Sequence, residues 1–199
     1  MTIYLDYNAT APVRPEVADK IKEILATPAN PSSVHSYGRA AKKYLEDARR
    51  VIAEHTSCWP DEVIFMGSAT EANLTALTST VGNILVSAVE HSSILSSLRG
   101  SGATAAIHKK ESWIASPAAC NDIIPVDANG LVVLDTLEKM VREHKPALVS
   151  VMLANNETGV IQPIAEIAKL CKAHGALLHT DAVQALGKIP VDIGALGAD

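Results

Sequence analysis

Ala176-Leu177-Leu178-His179-Thr180-Asp181-Ala182-Val183-Gln184-Ala185 is the stretch whose reading decides the fold. Strong β-formers up to Leu178 predict a short buried strand. Asp181 then falls at the carboxyl end of that strand, the edge of an open α/β sheet where ligands collect. An aspartate there can pair with a protonated ring nitrogen, and Gln184, three residues on, can reach an oxygen of the same ring. An Asp just after a strand also serves as an ordinary turn or cap residue. The neighbouring segments decide between the two.

Working outward, Ile164 to His174 has helical spacing, with Gly175 as its C-terminal stop. Before it, Leu148-Val149-Ser150-Val151-Met152-Leu153 reads as a buried strand that delivers Asn155-Asn156-Glu157-Thr158-Gly159 at its end. Leu134 to His144 reads as a helix, Asp127 to Gly130 as a turn and Ile123 to Val126 as a strand. Residues 99–122 carry no legible pattern. Ile84-Leu85-Val86-Ser87 is a further strand, followed by Val89-Glu90-His91-Ser92 and a short helix through Leu98. His91 therefore lands just past a strand end, where a structural hydrogen bond explains a histidine as well as catalysis does. Val63-Ile64-Phe65 reads as a short buried strand and Glu71 to Thr80 as a helix. Between them, Ser68 and Glu71 fit a capping box. A strand, a small-residue turn and a helix N-terminus also make an anion site, to which Thr70 would add a hydroxyl.

In the first third of the chain, Pro15 opens a helix through Ala26 with Val17, Ile21, Ile24 and Leu25 at helical spacing. A loop rich in turn-formers, from Pro28 to Gly38, contains Asn30 and His35. A second helix, from about Arg39 to His55, is expected to bury Ala41, Tyr44, Leu45, Ala48, Val51 and Ile52. Strands alternate with helices almost throughout, which predicts an α/β fold with a largely parallel sheet and helices on both faces. Thr70, His91, Asn155, Asp181 and Gln184 all fall at or just beyond carboxyl ends of strands.

The composition fits that fold. The 199 residues are 48% hydrophobic and 20% charged, enough for a real core, and the formal net charge of -5 offers no basic groove for nucleic acid. No apolar run approaches the ~20 residues of a membrane helix. Met1-Thr2-Ile3-Tyr4-Leu5-Asp6 has neither the basic nor the apolar region of a secretion signal, so a cytoplasmic protein is expected. Cys58, Cys120 and Cys171 lie far apart, with no metal-ligand spacing.

The groups gathered at the strand ends suit pyridoxal 5'-phosphate. The helix N-terminus with Thr70 would hold the phosphate, Asp181 the pyridine nitrogen, and Asn155 and Gln184 the phenolic oxygen. His91 would stack on the ring and shuttle protons. The segments Tyr4 to Ala11, Asn30 to His35, Ala69-Thr70-Glu71-Ala72-Asn73, Glu90-His91, Asn155 to Gly159 with Gln162-Pro163-Ile164, and His179 to Gln184 occur in an order that resembles the pyridoxal-phosphate-dependent cysteine desulfurases. These NifS/IscS-like proteins belong to the class V aminotransferases, with the fold-type I architecture. The resemblance implies L-cysteine as substrate, with alanine and an enzyme-bound persulfide as products. It also implies a homodimer and an iron–sulfur scaffold or other sulfur-acceptor protein as partner, with nitrogenase cofactor supply and tRNA thiolation among the possible destinations. It assigns phosphate binding to Ala69 and Thr70, ring stacking and proton transfer to His91, and cofactor contacts to Asn155, Asp181 and Gln184. Asn8, Asn30 and His35 would border the substrate. Residues 1–14 would line the active site and residues 15–199 would form an incomplete large domain.

Three departures from the family pattern stand out. Gly67-Ser68 reverses the usual Ser-Gly or Thr-Gly order before Ala-Thr-Glu-Ala, and Ala29 replaces a glycine. The Ser-x-His-Lys segment that carries the cofactor lysine, and the later cysteine loop and arginine, match nothing in these 199 residues; Lys188 does not fit the lysine motif. The chain as given is therefore expected to be the N-terminal part of a desulfurase, inactive alone and with an exposed sheet edge prone to association. The alternatives are a non-catalytic remnant or a related lyase or aminotransferase. A nicotinamide-binding domain is disfavoured, because no Gly-x-Gly-x-x-Gly follows a strand.

Overall fold

The computed structural model describes residues 3–28, 30–98 and 123–199, so the readings at Ala29, Cys120 and residues 99–122 lie outside it. Two compact units, Met1–Ile64 and Phe65–Asp199, make up the chain.

The first unit holds helices α1 (Pro15–Leu25) and α2 (Ser36–Thr56) and a 3₁₀ turn, Pro60–Glu62. Pro15 opens α1 as its fixed φ allows. His35 caps α2, its Nδ1 accepting from the Gly38 N–H at 3.3 Å. Periodicity placed both helices, but it did not predict their cover. No residue of α1 is buried, and Tyr44 and Val51 of the expected α2 stripe are exposed; α2 buries Gly38, Ala53 and Thr56 instead. An apolar spacing fixes which face of a helix is apolar, and burial further requires a partner surface.

Gly38 is where the loop before α2 meets the helix most closely. A Cβ there would stand 2.1 Å from the Ser33 carbonyl oxygen. Gly38→Ala is accordingly expected to displace the Asn30–His35 loop at a cost of about 1–3 kcal/mol. Denaturant unfolding compared with the wild type checks this, and an unchanged midpoint would show that the loop adjusts freely.

In the second unit the element order is α3 (Ala69–Ser79), β1 (Ile84–Ser87), α4 (Ser92–Leu98), β2 (Ile123–Ile124), α5 (Leu134–His144), β3 (Leu148–Ser150), α6 (Ile164–Ala173), β4 (Leu177–His179) and α7 (Ile193–Leu196). The four strands are parallel, in the order β2-β1-β3-β4, with Leu85 opposite Val149 and Val149 opposite Leu178. Successive strand residues face opposite ways, and both directions are filled. Leu85, Val149 and Leu178 pack with Leu137 and Val141 of α5 and Ile164, Ile167 and Cys171 of α6. Ile84, Val86 and Leu148 pack with Leu77 of α3 and Ile94 of α4. Cover on both faces explains why β1 is buried along its whole length and why its first three residues are all apolar.

Val63-Ile64-Phe65, expected as a buried strand, joins no ladder; Ile64 and Phe65 are exposed. The guanidinium of Arg49 donates to the Val63 carbonyl. β-propensity expresses packing against neighbouring strands, and this segment has none. The strand expected to run to Leu153 ends at Ser150, although the chain beyond stays bonded to β4, with the Val151 N–H donating to the His179 carbonyl at 3.0 Å and the Leu153 N–H to that of Asp181 at 2.9 Å. At the β4 edge, Asp199 covers both outward groups of Leu178. Its Oδ2 accepts from the Leu178 N–H at 2.9 Å and its own N–H donates to the Leu178 carbonyl at 3.0 Å. No helix among the described residues is long and apolar enough to cross a membrane.

Candidate functional site

Strand order locates the site. From β1 the chain proceeds to the neighbour on one side, β2, whereas from β3 it proceeds to the neighbour on the other, β4. The loops leaving β1 and β3 thus diverge and open a crevice at the carboxyl ends, the place where open α/β sheets bind ligands. His91 follows β1, Asn155 follows β3 and Asp181 follows β4.

Two cross-links span this crevice. Glu90, 6% exposed, accepts through Oε1 from the Ser87 hydroxyl at 2.8 Å and from the Met152 N–H at 2.5 Å. Asn155 donates through Nδ2 to the Val89 carbonyl at 3.0 Å. Burial pushes the Glu90 carboxyl up to about 7; its two hydrogen bonds oppose that shift and the nearby Asp181 charge adds to it. Glu90 is therefore largely neutral at slightly acidic pH, an unusual state that sequence gave no reason to expect.

Asp181 is 8% exposed and fully directed by donors. Oδ2 accepts from Asn73 Nδ2 at 2.7 Å and Oδ1 from the Val183 N–H at 2.9 Å. The second bond is the turn role weighed for this residue; the first ties it to α3. Just before it, His179 shares a 2.9 Å hydrogen bond with the Ser150 hydroxyl, and burial lowers its pKa while Asp181 opposes the shift. Gln184 is half-buried, and its Oε1 accepts from the Lys188 ammonium.

Helix α3 brings Thr70 one turn before Asn73. Ser68 caps it as expected, its hydroxyl accepting from the Glu71 N–H at 3.1 Å. The reciprocal half of the box is shifted by one residue, because Glu71 Oε2 accepts from the Gly67 N–H at 2.8 Å rather than from that of Ser68. Ala69 and Thr70 remain at the first turn, where helix N–H groups have no partner within the helix. His91 is exposed and held through Nδ1, which accepts from the Ser93 N–H at 3.2 Å and lies 2.8 Å from the Ser93 hydroxyl. A backbone N–H can only donate, so the neutral ring carries its proton on Nε2.

Asn155 spends its carbonyl on its own loop, accepting from the Glu157 and Thr158 N–H groups at 3.0 and 2.8 Å. Asn8, Asn30 and His35 belong to the first unit. Asn8 lies in an exposed turn, Asn30 Oδ1 accepts from the Ser32 N–H at 3.0 Å, and His35 caps α2. Cys171 is buried and its thiol is pushed up to about 12, mainly by that burial, so it is a core residue.

Sequence reasoning missed Asn73 and Glu90. The signal for Asn73 was an amide four residues before Leu77 on the buried stripe of α3. For Glu90, only the sheet order shows that it faces β3.

These residues suit a phosphorylated, ring-nitrogen ligand. A buried and doubly directed carboxylate and a histidine of fixed tautomer follow strand ends of one sheet, and Asn73 ties that carboxylate to the helix whose first turn carries Ala69 and Thr70. Two buried polar atoms there lack a partner, Glu90 Oε2 and Thr180 Oγ1, each one residue before a site residue. The fold is that of a parallel α/β protein, with these residues gathered at the carboxyl ends of β1, β3 and β4.

The chain belongs to the class-V aminotransferase family, whose model matches residues 3–199, and this family depends on pyridoxal phosphate. The mitochondrial cysteine desulfurase of Candida albicans is 39% identical over 99% of this chain and 39% of its own length. The cysteine desulfurase IscS of Dictyoglomus turgidum is 38% identical over 99% of this chain and 48% of its own. Among solved structures, a NifS-like protein from Rickettsia africae superposes with a TM-score of 0.83 at 35% identity, covering 100% of this chain and 52% of that one. The chain thus spans about half the length of its relatives, or less.

Proposed function

We propose that these 199 residues form the cofactor-holding part of a cysteine desulfurase, which takes sulfur from L-cysteine and leaves L-alanine. The observation that carries the reading is the buried Asp181 carboxylate, fixed by Asn73 and Val183 at the carboxyl edge of the sheet. Relatives named cysteine desulfurase, and a 27% identical structure described as SspA in complex with cysteine, support the substrate.

Pyridoxal phosphate supplies an electron sink for the bond changes beside the substrate amino group. Asp181 would hold a proton on the ring nitrogen. Ala69 and Thr70 would bind the phosphate through first-turn N–H groups and the Thr70 hydroxyl. His91 would lie on the ring face, with Nε2 free to exchange a proton with the substrate side while Ser93 holds Nδ1. Gln184 and Asn155 would approach the phenolic oxygen, each keeping its present bond to Lys188 or to the 155–158 loop. Asn8, Asn30 and His35 would border the substrate.

The net reaction breaks the cysteine C–S bond, places a proton on the carbon and forms an S–S bond on a protein thiol. That thiol would pass sulfur to an iron–sulfur scaffold or another acceptor. Neither Cys58, beside Thr56 at 3.3 Å, nor buried Cys171 is assigned that task. A homodimer and a cytoplasmic location complete the proposal.

The test is to supply the encoded protein, loaded with pyridoxal phosphate, with L-cysteine and follow both products. One alanine for each persulfide sulfur is expected. Turnover of other amino acids with no release from cysteine would replace this reading with the related lyase or aminotransferase, and no turnover at all would favour the non-catalytic remnant.

A further inference from the structure

Asn73 is given no contact with cofactor or substrate in the proposal above, only its bond to Asp181. It is 5% exposed, in the second turn of α3, where an apolar residue would serve the helix better. A buried side-chain amide is retained at no cost only when its partners are in place. Its Nδ2 donates at 2.7 Å to Asp181 Oδ2, a contact between residues 108 positions apart in sequence and buried at both ends. The same nitrogen lies 3.5 Å from the hydroxyl of Ser93, the residue that holds His91 Nδ1.

The two bonds to Asp181 come from different parts of the fold. Val183 sits in the same turn as the aspartate and moves with it. Asn73 sits on α3, the helix whose first turn carries Ala69 and Thr70. It alone, of the two donors, fixes the carboxylate relative to the phosphate-binding turn. A rigid ligand that must meet both ends at once is sensitive to that separation, since small misplacements of paired groups are costly in a preorganised site.

We infer that Asn73 is a positioning residue that sets the Asp181 carboxylate at a fixed place relative to the first turn of α3 and, through Ser93, joins it to the His91 side of the site. The inference rests on the assignment of Asp181 to the ring nitrogen. It goes beyond that assignment in making the pairing depend on a residue that acts through Asp181 and Ser93.

A double-mutant cycle separates the two claims. Apo-protein of the full encoded chain is titrated with pyridoxal phosphate as wild type, Asn73→Ala, Asp181→Asn and the double variant, with thermal melting of each apo-protein as a control for folding. Asn73→Ala is expected to weaken cofactor binding about tenfold in the wild-type background and by less than about twofold beside Asp181→Asn. Asn73→Asp, which keeps the shape but replaces the donor with an acceptor, covers the case in which alanine unfolds the helix; it is expected to show the same background dependence. Equal losses in both backgrounds, or none in either, would overturn the inference and leave Asp181's assignment standing. Binding indifferent to Asp181→Asn alone would remove the assignment and the inference with it.

Discussion

Asp181→Ala is expected to weaken pyridoxal-phosphate binding by about 10²–10⁴-fold. Removing one partner of a buried charged pair costs about 3–5 kcal/mol, because the other partner is left without its counter-charge. Here that partner would be the protonated ring nitrogen. The apo-protein should suffer too, but less. Losing the carboxylate orphans the Asn73 amide, a buried donor whose loss of partner costs about 1–3 kcal/mol. Equilibrium titration of the apo-protein measures the first effect, and denaturant unfolding without cofactor measures the second. A binding loss no larger than the stability loss would make Asp181 a turn residue, its role in the bond to Val183.

The second large effect concerns Glu90 and pH. Its carboxyl is raised from an ordinary value near 4.5 to about 7, with burial the main cause. Between those two values the unfolded chain gives up a proton that the folded chain keeps, so stability falls as pH rises through this window and levels off above it. The full cost is about 3 kcal/mol. Glu90→Gln reproduces the neutral acid. Its Oε1 can still accept from Ser87 and Met152, and its N–H groups replace the orphaned Oε2 on the side of the Asp181 charge. The variant is expected to match the wild type near pH 4 and to exceed it in stability by about 3 kcal/mol above pH 8. Denaturant unfolding across that range checks the sign. A variant that loses stability equally at every pH would show that Glu90 acts as a permanently charged anchor.

The centre of the sheet was legible because β1 and β3 are buried on both faces. Ile84 to Val86 is an apolar run, and the run from Leu148 to Leu153 is interrupted only by Ser150. Leu134 to His144 was legible for a different reason, since its apolar residues Leu137 and Val141 recur a helical turn apart. Val63 to Phe65 has the same residue types as a strand but none of the neighbours that make one. In α2 the periodicity was right, but Tyr44, Ala48 and Val51 of the expected buried stripe are exposed.

The placement of His91, Asn155 and Asp181 just past strand ends was legible in the sequence. What sequence could not show is which donors reach them. The bond from Asn73 to Asp181 joins residues 108 positions apart, and Glu90 is neutral through burial that only the fold creates, while Met152, just beyond β3, holds its carboxyl in place. The reversed Gly67-Ser68 order also has a structural counterpart. Ser68 is free to cap α3, and Glu71 turns back to the Gly67 N–H, which places a carboxylate beside the turn expected to hold phosphate.

The central claim is that the crevice between β1 and β3, with the first turn of α3 beside it, holds pyridoxal phosphate by both its ring and its phosphate. The most direct test is calorimetric titration of the apo-protein, prepared from the full encoded chain, with pyridoxal phosphate and separately with pyridoxal. The account predicts saturable binding of one cofactor per chain and binding of pyridoxal weaker by at least about 100-fold, since the first-turn donors of α3 would lose their charge-assisted partner. Equal binding of the two compounds, or binding of neither, would contradict it.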